Sequence, residues 1–136
     1  LAGFASDPGP AGLDDKRALI DRCFGKATLA EVLAALAAAS DPWAAETLAT
    51  IHQKSPHLAA VSFEMIRRGK RLSFDDCMRM EFRLAMALAP AHDFIEGIRA
   101  LLIDRDNKPA WRAAGDAAEV LAPFDAVPAC GDLTFA

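Results

Sequence analysis

The sequence has little of what marks three common classes of protein. No uninterrupted apolar run is long enough to cross a bilayer, and the first residues lack the basic segment of a signal peptide. The net charge of −4 lacks the basic excess of a nucleic-acid binder. No stretch alternates apolar and polar residues as a half-buried strand does. We therefore expect no membrane partner, no nucleic-acid partner and no β-sheet.

Residues with the spacing of a metal or nucleophile site are also missing. The three histidines share no ligand spacing with each other or with a cysteine, no cysteine lies beside a histidine, and the isolated glycines form no phosphate-binding loop. We predict no metal and no cofactor. The three cysteines are odd in number and far apart, so we expect free thiols in a reducing compartment. These residues are His52, His57, His92, Cys23, Cys77 and Cys130.

What the sequence does have is the composition of a folded helical domain. Its 136 residues are 53% hydrophobic and 25% charged, which is enough apolar material for one core. Apolar residues recur with the 3.6-residue period of helices. We predict an all-α fold of five to seven helices. A linker over residues 1–12, rich in proline and glycine, precedes a helical domain over 13–124, and an extended tail follows over 125–136.

Helix-start signals divide the chain into short segments. Thr28 and Glu31 have the spacing of a capping box, in which each side chain bonds the other residue's backbone N–H. Asp41 and Ser55 each precede a proline, which favours a cap followed by the first helical residue. Each of these positions predicts a helix start.

Residues 73–111 carry the sharpest boundaries. Ser73 is a predicted cap, with Asp76 three residues further on, and Pro90 closely follows the end of that helix. Asp93 is the predicted cap of the next helix, with Glu96 at the reciprocal capping position. We therefore predict two helices separated by a short turn.

Glu81 is the charge that the helical wheel places on an apolar face. Its neighbours on that arc are apolar, whereas Arg79 and Arg83 lie on the opposite side. A carboxylate in such a position must find a hydrogen-bond donor or line a cleft. We predict that Glu81 is a buried structural carboxylate. The alternatives are a general acid or base, or a helix whose phase differs from the assumed one.

Two cationic clusters are candidates for phosphate contacts. One lies over residues 67–71, at a predicted helix end where the helix dipole favours cations. The other consists of Arg105 and Lys108 beside Trp111. For both, a solvated surface is the alternative. The residues alone support a helical domain without a self-contained active site.

Several short segments, taken in order, form a recognisable set. They are residues 20–24 (IDRCF), 31–33 (EVL), 54–56 (KSP), 80–84 (MEFRL), 92–94 (HDF), 96–100 (EGIRA), 102–106 (LIDRD), 108–111 (KPAW) and 132–133 (DL). Together they resemble the C-terminal region of the 3-hydroxyisobutyryl-CoA hydrolase family, which is part of the crotonase (enoyl-CoA hydratase/isomerase) superfamily. The resemblance extends from about residue 13 to residue 111.

The resemblance implies a fold in which a spiral of repeated ββα units precedes this helical region. The family's oxyanion-hole amides and catalytic carboxylates would lie in that spiral, so we expect no catalytic residue in this chain. The implied partner is the N-terminal spiral domain of the same protein. The implied reaction is hydrolysis of a small 3-hydroxyacyl-CoA thioester in valine breakdown, with the substrate oxygen held in the oxyanion hole.

A related motif separates two branches of the superfamily. Many enoyl-CoA hydratases carry a Glu-Gly-x-x-Ala-Phe-x-x-Lys-Arg segment, whose Phe and Lys approach the adenine end of coenzyme A. The departures in this chain remove a stacking ring and replace a cation with an anion, which favours the hydrolase branch. The segment matches at Glu96, Gly97, Ala100 and Arg105, and it departs at Leu101, in place of Phe, and at Asp104, in place of Lys.

The resemblance leaves specific expectations and alternatives. Arg105 and Lys108 are the predicted contacts to coenzyme A. The first hypothesis is a helical part that completes the acyl-CoA cleft and is inactive alone; the alternatives are the C-terminal part of an enoyl-CoA hydratase or isomerase, and a stand-alone helical protein-interaction module. If the spiral domain is absent, the apolar face that would contact it is exposed, and we therefore expect the chain to self-associate.

The chain begins at Leu1, so we expect coding sequence upstream, and its alanine and arginine content favours a bacterial, cytoplasmic parent.

Overall fold

The computed structural model describes residue 9 and residues 11–135. In that part of the chain the fold is all-α and contains no strand, as predicted. Most of the predicted linker over residues 1–12 lies outside the described residues. The elements are a 3₁₀ turn (Asp14–Lys16), α1 (Arg17–Phe24), α2 (Leu29–Ala38), α3 (Pro42–His52), α4 (Pro56–Gly69), α5 (Phe74–Leu88), α6 (His92–Ile98), a π-helical turn (Arg99–Ile103) and α7 (Ala117–Asp125).

Local capping chemistry explains where most of these helices begin. Thr28 Oγ1 accepts the N–H of Glu31 at 3.2 Å, and Glu31 Oε2 accepts the N–H of Thr28 at 3.0 Å, which completes the predicted capping box of α2. Ser55 Oγ accepts the N–H of Leu58 at 3.0 Å ahead of α4. The hydroxyl of Ser73 accepts a backbone N–H at the start of α5 in the same way. These contacts involve neighbouring residues, and sequence spacing can therefore predict them.

The start of α6 differs from the prediction at Asp93 and Glu96. The N-cap is Ala91, which makes no side-chain cap, and Asp93 lies inside the first turn, where it is buried. Glu96 is bonded to Arg99 and to the N–H of Ala110. The cap assignment is corrected because Asp93 accepts from Ser55 and the Arg112 N–H, and Glu96 accepts from Arg99 and the Ala110 N–H, instead of from the N–H groups at the helix start.

The first compact unit ends at Leu48. Within it, α1 packs against α2, and Cys23, Val32 and Leu36 are fully buried. A free cysteine behaves as a small hydrophobic residue, and the buried Cys23 is part of the core of this unit. The three cysteines of the chain are free.

The second compact unit begins at Ala49 and contains a separate core. Helices α4, α5 and α7 pack together around Val61, Met80, Leu84 and Phe124. The Arg68 guanidinium lies 4.2 Å from the centroid of the Phe124 ring and covers one face of this core.

Helix α5 is rotated from the phase that the sequence suggested. Met80 and Leu84 are its buried residues, and Glu81 is exposed. The prediction of a buried carboxylate at Glu81 is therefore wrong. Arg79 and Arg83, which the helical wheel places opposite the apolar arc, are partly buried and bonded to the tail of the chain.

The tail after α7 is bound to α5 rather than free. The Arg83 guanidinium forms a salt bridge with Asp132. Arg79 Nε donates to the Leu133 carbonyl at 3.1 Å, and the Arg79 guanidinium lies 4.9 Å from the centroid of the Phe135 ring. Two arginines on successive turns of α5 thus hold the end of the chain.

Candidate functional site

A loop over residues 104–112 follows the π-helical turn, and Arg99 holds it against α6. The guanidinium donates to Glu96 at 2.8 and 2.9 Å, to Asp104 at 2.6 Å and to Asp106 at 2.8 Å. It also donates to the Lys108 carbonyl at 3.2 Å. We call Arg99, Glu96, Asp104 and Asp106 the Arg99 cluster. Sequence reasoning did not find its centre, because nothing in the spacing of the acidic residues shows that they converge.

The same carboxylates also order the backbone of the loop. Glu96 Oε1 accepts the Ala110 N–H at 2.8 Å, and Asp106 Oδ1 accepts the Lys108 N–H at 2.8 Å. These bonds fix the loop's path as well as its charge balance.

The electrostatics of the Arg99 cluster favour its ionised form. Hydrogen bonds from Arg99, with a further one from the Ala110 N–H, lower the pKa of Glu96 to about 2. Arg99 and the Lys108 N–H lower the pKa of Asp106 in the same way. The carboxylates in turn raise the pKa of Arg99, with Glu96 the largest contributor. The cluster is therefore a stable set of charges at neutral pH and is unsuited to proton transfer.

A second anchor of the loop is the buried carboxylate of Asp93. It accepts hydrogen bonds from the Ser55 hydroxyl, from the Arg112 N–H at 3.0 Å and, at the same distance, lies against His92 Nδ1. Burial acts to raise the pKa of Asp93, but these hydrogen bonds outweigh it and hold that pKa below its ordinary value. Asp93 thus joins the start of α4, the start of α6 and the loop.

The grouping of serine, aspartate and histidine at this anchor is not a nucleophilic triad. The Ser55 hydroxyl donates to Asp93 and accepts from the Leu58 N–H, while His92 bonds Asp93 separately. A nucleophile needs the base on its own hydroxyl, and here the carboxylate occupies that position. The arrangement therefore binds segments together and does not activate Ser55.

The third anchor is the indole of Trp111. Its Nε1 donates to the Gln53 carbonyl at 2.9 Å. The ring lies over Gly97, where an added Cβ would come within 3.2 Å of its outer edge. Glycine at this position thus permits close packing of the indole on α6.

Two residues of the loop adopt left-handed backbone conformations. Arg105 has φ = 55° and Asn107 has φ = 53°, and the Asn107 N–H donates to the Ala100 carbonyl at 3.1 Å. Side chains of ordinary residues are disfavoured in this region, so the anchors around the loop must sustain it. The Arg105 side chain is exposed and reaches the Leu102 carbonyl at 3.4 Å.

A groove of about 720 Å³ lies beside the loop and α6. Lys54 and Lys108 line it, and neither ammonium forms an ion pair with any side chain in residues 11–135. Arg105, the other predicted contact to coenzyme A, is not among its lining residues. The apolar lining includes Leu58, Phe94, Ile98, Leu101, Leu102 and Trp111. The groove has the size of a small-molecule site.

The outer surface of α6 and the π-helical turn is apolar. Ile95 is 56% exposed, Leu101 and Leu102 are each 62% exposed, and Ile103 is 70% exposed. We call these four residues the apolar face. Large apolar side chains exposed in one short segment are typical of interaction surfaces.

Other site classes receive no support from the part of the chain that the structure describes. Within it, no three metal-ligand side chains come together in a geometry that could hold an ion. None of the helices described is both long enough and apolar enough to traverse a bilayer. The chemistry of the chain is thus that of anchored loops, an apolar face and a groove.

Comparison with known proteins agrees with this architecture. A model of the family described as enoyl-CoA hydratase/isomerase matches residues 2–122. The mitochondrial 3-hydroxyisobutyryl-CoA hydrolase of Gallus gallus is 34% identical over 102 residues, which are 75% of this chain and 26% of that protein. The corresponding protein of Dictyostelium discoideum is 39% identical over 94 residues, which are 68% of this chain and 25% of that protein. This chain therefore spans about a quarter of the length of these curated relatives.

Solved structures resemble the chain over nearly its whole length. A crystal structure of a carnitinyl-CoA dehydratase from Mycobacterium thermoresistibile matches with a TM-score of 0.87 and 38% identity, over 99% of this chain and 39% of that chain. An enoyl-CoA hydratase from Rhodobacter sphaeroides 2.4.1 matches with a TM-score of 0.84 and 33% identity, over 97% of this chain and 40% of that chain. The resemblance to the C-terminal region of 3-hydroxyisobutyryl-CoA hydrolases is confirmed. The chain belongs to the enoyl-CoA hydratase/isomerase family.

Proposed function

We propose that this chain is the helical C-terminal part of an acyl-CoA thioester hydrolase similar to the 3-hydroxyisobutyryl-CoA hydrolases. Its domain boundaries are the linker over 1–12, the helical domain over 13–124 and the tail over 125–136. Its role is to cover the spiral catalytic domain and to complete the wall of the acyl-CoA cleft. The observation that carries this proposal is the apolar face, because four large side chains in nine residues stand in solvent unless a partner covers them.

The chain contributes no catalytic group under this proposal. Glu81 is exposed, the Ser55 hydroxyl is bonded to a carboxylate, and the Arg99 cluster is held in its ionised form. Each of these is an unfavourable starting point for a general acid, a nucleophile or a proton carrier. The reaction is carried by the partner domain, and the parent protein takes an acyl-CoA as substrate and needs no cofactor.

Arg105 and Lys108 are the proposed contacts to coenzyme A. Both side chains are exposed on a loop with three anchors, and neither forms an ion pair with another described residue. An ammonium or guanidinium held in this way can meet a phosphate without first losing an acidic partner. The parent is proposed to be a cytoplasmic enzyme of valine breakdown.

The test is thiol release from 3-hydroxyisobutyryl-CoA, measured with this chain alone and with the same chain extended by its upstream coding sequence. We expect no turnover by the chain alone and turnover by the extended protein. The Gallus gallus relative is a suitable positive control. Turnover by the chain alone, or an extended protein that does not cleave the thioester, contradicts the proposal.

A second candidate is the C-terminal part of an enoyl-CoA hydratase or dehydratase. It is favoured by the two structural neighbours, a carnitinyl-CoA dehydratase and an enoyl-CoA hydratase, which match at TM-scores of 0.87 and 0.84. Hydration of crotonyl-CoA by the extended protein, measured beside thiol release from 3-hydroxyisobutyryl-CoA, separates the two. Hydration without thiol release would select the second candidate.

A further inference from the structure

A second cavity, of about 480 Å³, lies where the start of α4, the end of α5, the start of α6 and α7 meet. None of the four residues of the apolar face is among its lining residues, so a partner that covers that face does not have to fill this cavity. Much of the lining is small and apolar, and it includes Leu58, Ala87, Ala91, Ala122 and Pro123. A cavity of this size can hold a small molecule.

Two opposite charges line this cavity without neutralising each other. Arg112 belongs to the loop over residues 104–112, and Glu119 belongs to α7. Neither side chain forms an ion pair with any other side chain in residues 11–135. A separated pair of opposite charges is complementary to a molecule that carries both charges.

The backbone that carries each of these charges is held in place. The Arg112 N–H donates to Asp93 Oδ1 at 3.0 Å, so the structural contact of this residue is made by its backbone and not by its guanidinium. The Glu119 N–H donates to Asp116 Oδ1 at 2.9 Å in the first turn of α7. The Glu119 side chain lies against Gly115, where an added Cβ would overlap the carboxylate. This ordering precedes any ligand and reduces the entropy lost on binding.

Two histidines add hydrogen-bonding groups to the cavity. His92 Nδ1 lies 3.0 Å from Asp93 Oδ1, and Nε2 of the same ring forms no hydrogen bond within the described part of the chain. The ring of His57, at the start of α4, has no hydrogen-bond partner among the described residues. Asp93 also lines the cavity, but both of its carboxylate oxygens already accept hydrogen bonds. Arg112 and the two imidazoles are thus available to a ligand as donors, and Glu119 is available as an acceptor.

We propose that this cavity binds a small α-amino acid with an apolar side chain. Arg112 and the two histidines hold its carboxylate, Glu119 holds its ammonium group, and the small apolar residues contact its side chain. A free amino acid carries both charges on one carbon atom and has no net charge, which matches one unpaired guanidinium and one unpaired carboxylate in the same cavity. A simple carboxylate or a simple amine would leave one of the two protein charges unpaired. This site is separate from the acyl-CoA cleft of the proposed function and does not depend on it.

The bound amino acid acts on the loop over residues 104–112. His92 contacts both the cavity and Asp93, and Arg112 is the last residue of the loop, so the ligand joins α7 to the groups that anchor the loop. A ligand stabilises the conformation that binds it. The amino acid is therefore an effector that holds the loop in place and is not a substrate.

The three histidines of the chain supply the probe. His57 and His92 line the cavity, whereas His52 ends α3 and does not. The experiment follows the assigned imidazole C–H signals of the full chain at fixed pH during titration with L-leucine, with 4-methylpentanoate, which lacks the ammonium group, and with 3-methylbutylamine, which lacks the carboxylate. We expect leucine to shift the His57 and His92 signals saturably and to leave the His52 signal in place. Each analogue should bind about tenfold more weakly, because each loses one charged contact.

Variants then assign the two charges. Arg112→Ala should weaken leucine binding by about tenfold, and Arg112→Lys should restore most of it. Glu119→Gln should weaken leucine binding by about tenfold and leave the binding of 4-methylpentanoate unchanged, because only leucine carries the ammonium group. Arg71→Ala and Glu46→Gln are the matched controls and should bind like the parent chain, because both residues are exposed and lie outside the cavity. An unchanged circular dichroism spectrum and unfolding midpoint show that each variant is folded.

Four results would overturn the binding site: no shift of His57 and His92 with leucine, equal binding of the three probes, full leucine binding by Arg112→Ala, or a loss of 4-methylpentanoate binding in Glu119→Gln as large as the loss of leucine binding. Saturating leucine should also slow deuterium exchange of the Arg112 amide, and unaltered exchange contradicts the effector role. Thiol release by the extended protein is measured separately, and its outcome bears only on the proposed function.

Discussion

At the scale of single residues, buried and clustered carboxylates hold the loop of residues 104–112 in place. Asp93 receives the Ser55 hydroxyl and the Arg112 N–H, and Glu96 receives Arg99 and the Ala110 N–H. Each carboxylate replaces the water it loses with hydrogen-bond donors, at least one of which comes from a segment distant in the sequence. Removing one of these donors should therefore lower the free energy of unfolding by more than the loss of one ordinary hydrogen bond does.

Ser55→Ala should destabilise the chain by about 2–4 kcal/mol, because it removes the cap of α4 and leaves the buried Asp93 carboxylate short of a donor. Ser73→Ala is the control, since Ser73 is an exposed cap and its loss should cost about 1 kcal/mol. Urea unfolding of both variants measures the difference. An equal decrease in the free energy of unfolding in both variants would mean that the Asp93 carboxylate does not need the Ser55 hydroxyl as a donor.

Glu96 gives the chain a defined acid dependence. Its pKa lies at about 2 in the folded chain and at its ordinary value of 4.5 in the unfolded chain, so its contribution to stability is present above pH 4.5. That contribution is lost as the pH falls from about 4.5 to about 2. We expect Glu96→Gln to be less stable than the parent at pH 7 and to show a flatter fall across this window. Thermal unfolding at a series of pH values is the measurement, and an unchanged slope would contradict the assignment.

At the scale of elements, helix α5 shows both the reach and the limit of sequence reasoning. Its start at Phe74 and end at Leu88 follow from local signals, Ser73 before it and Pro90 after it. The rotation of α5 about its axis does not follow from local signals, because Arg83 bonds Asp132, which lies 49 positions further along the chain. Long arginine stems can lie over apolar surface, which a helical wheel counts as polar.

Replacing single residues on α5 tests the observed rotation. Leu84→Ala should destabilise the chain by about 2–5 kcal/mol, because Leu84 is buried in the core with Val61 and Phe124. Glu81→Leu should change stability by no more than about 0.5 kcal/mol, since Glu81 is exposed. Chemical unfolding compares the two. A large decrease in the free energy of unfolding of Glu81→Leu would contradict the observed rotation and support the buried carboxylate predicted from the sequence.

The same contrast holds across the other elements. Caps such as Thr28 with Glu31 lie three residues apart, so the sequence predicts them from local spacing. The convergence of Asp104 and Asp106 on Arg99 depends on a π-helical turn and on left-handed residues that no periodic pattern announces. The candidate groove could be predicted only in part: Lys54 and Lys108 both lie in segments of the family resemblance, but the sequence does not show that positions 54 residues apart line one groove.

At the scale of the whole molecule, the apolar face is a surface that association would remove from water. Ile95 and Ile103 lie outside the groove, so they can be altered without changing its lining. A chain that presents this face in solution is expected to associate with itself as its concentration rises.

Sedimentation velocity over a range of concentrations tests that expectation. The parent chain should show a rising average mass, and the double variant Ile95→Lys, Ile103→Lys should remain at 14.5 kDa within the mass change of the substitutions. Ala118→Lys, on an exposed position of α7, is the charge-matched control for one lysine and should associate like the parent. Association that persists in the double variant would assign self-association to another surface.

The single guanidinium of Arg99 has a kinetic consequence. Because it bonds four separate acceptors along residues 96–108, releasing any one of them loosens the others. The loop should then open as one cooperative unit rather than fray from an end. In deuterium exchange, the amides of Lys108, Ala110 and Arg112 should accordingly share one opening free energy, and replacement of Arg99 by Lys should accelerate all three together.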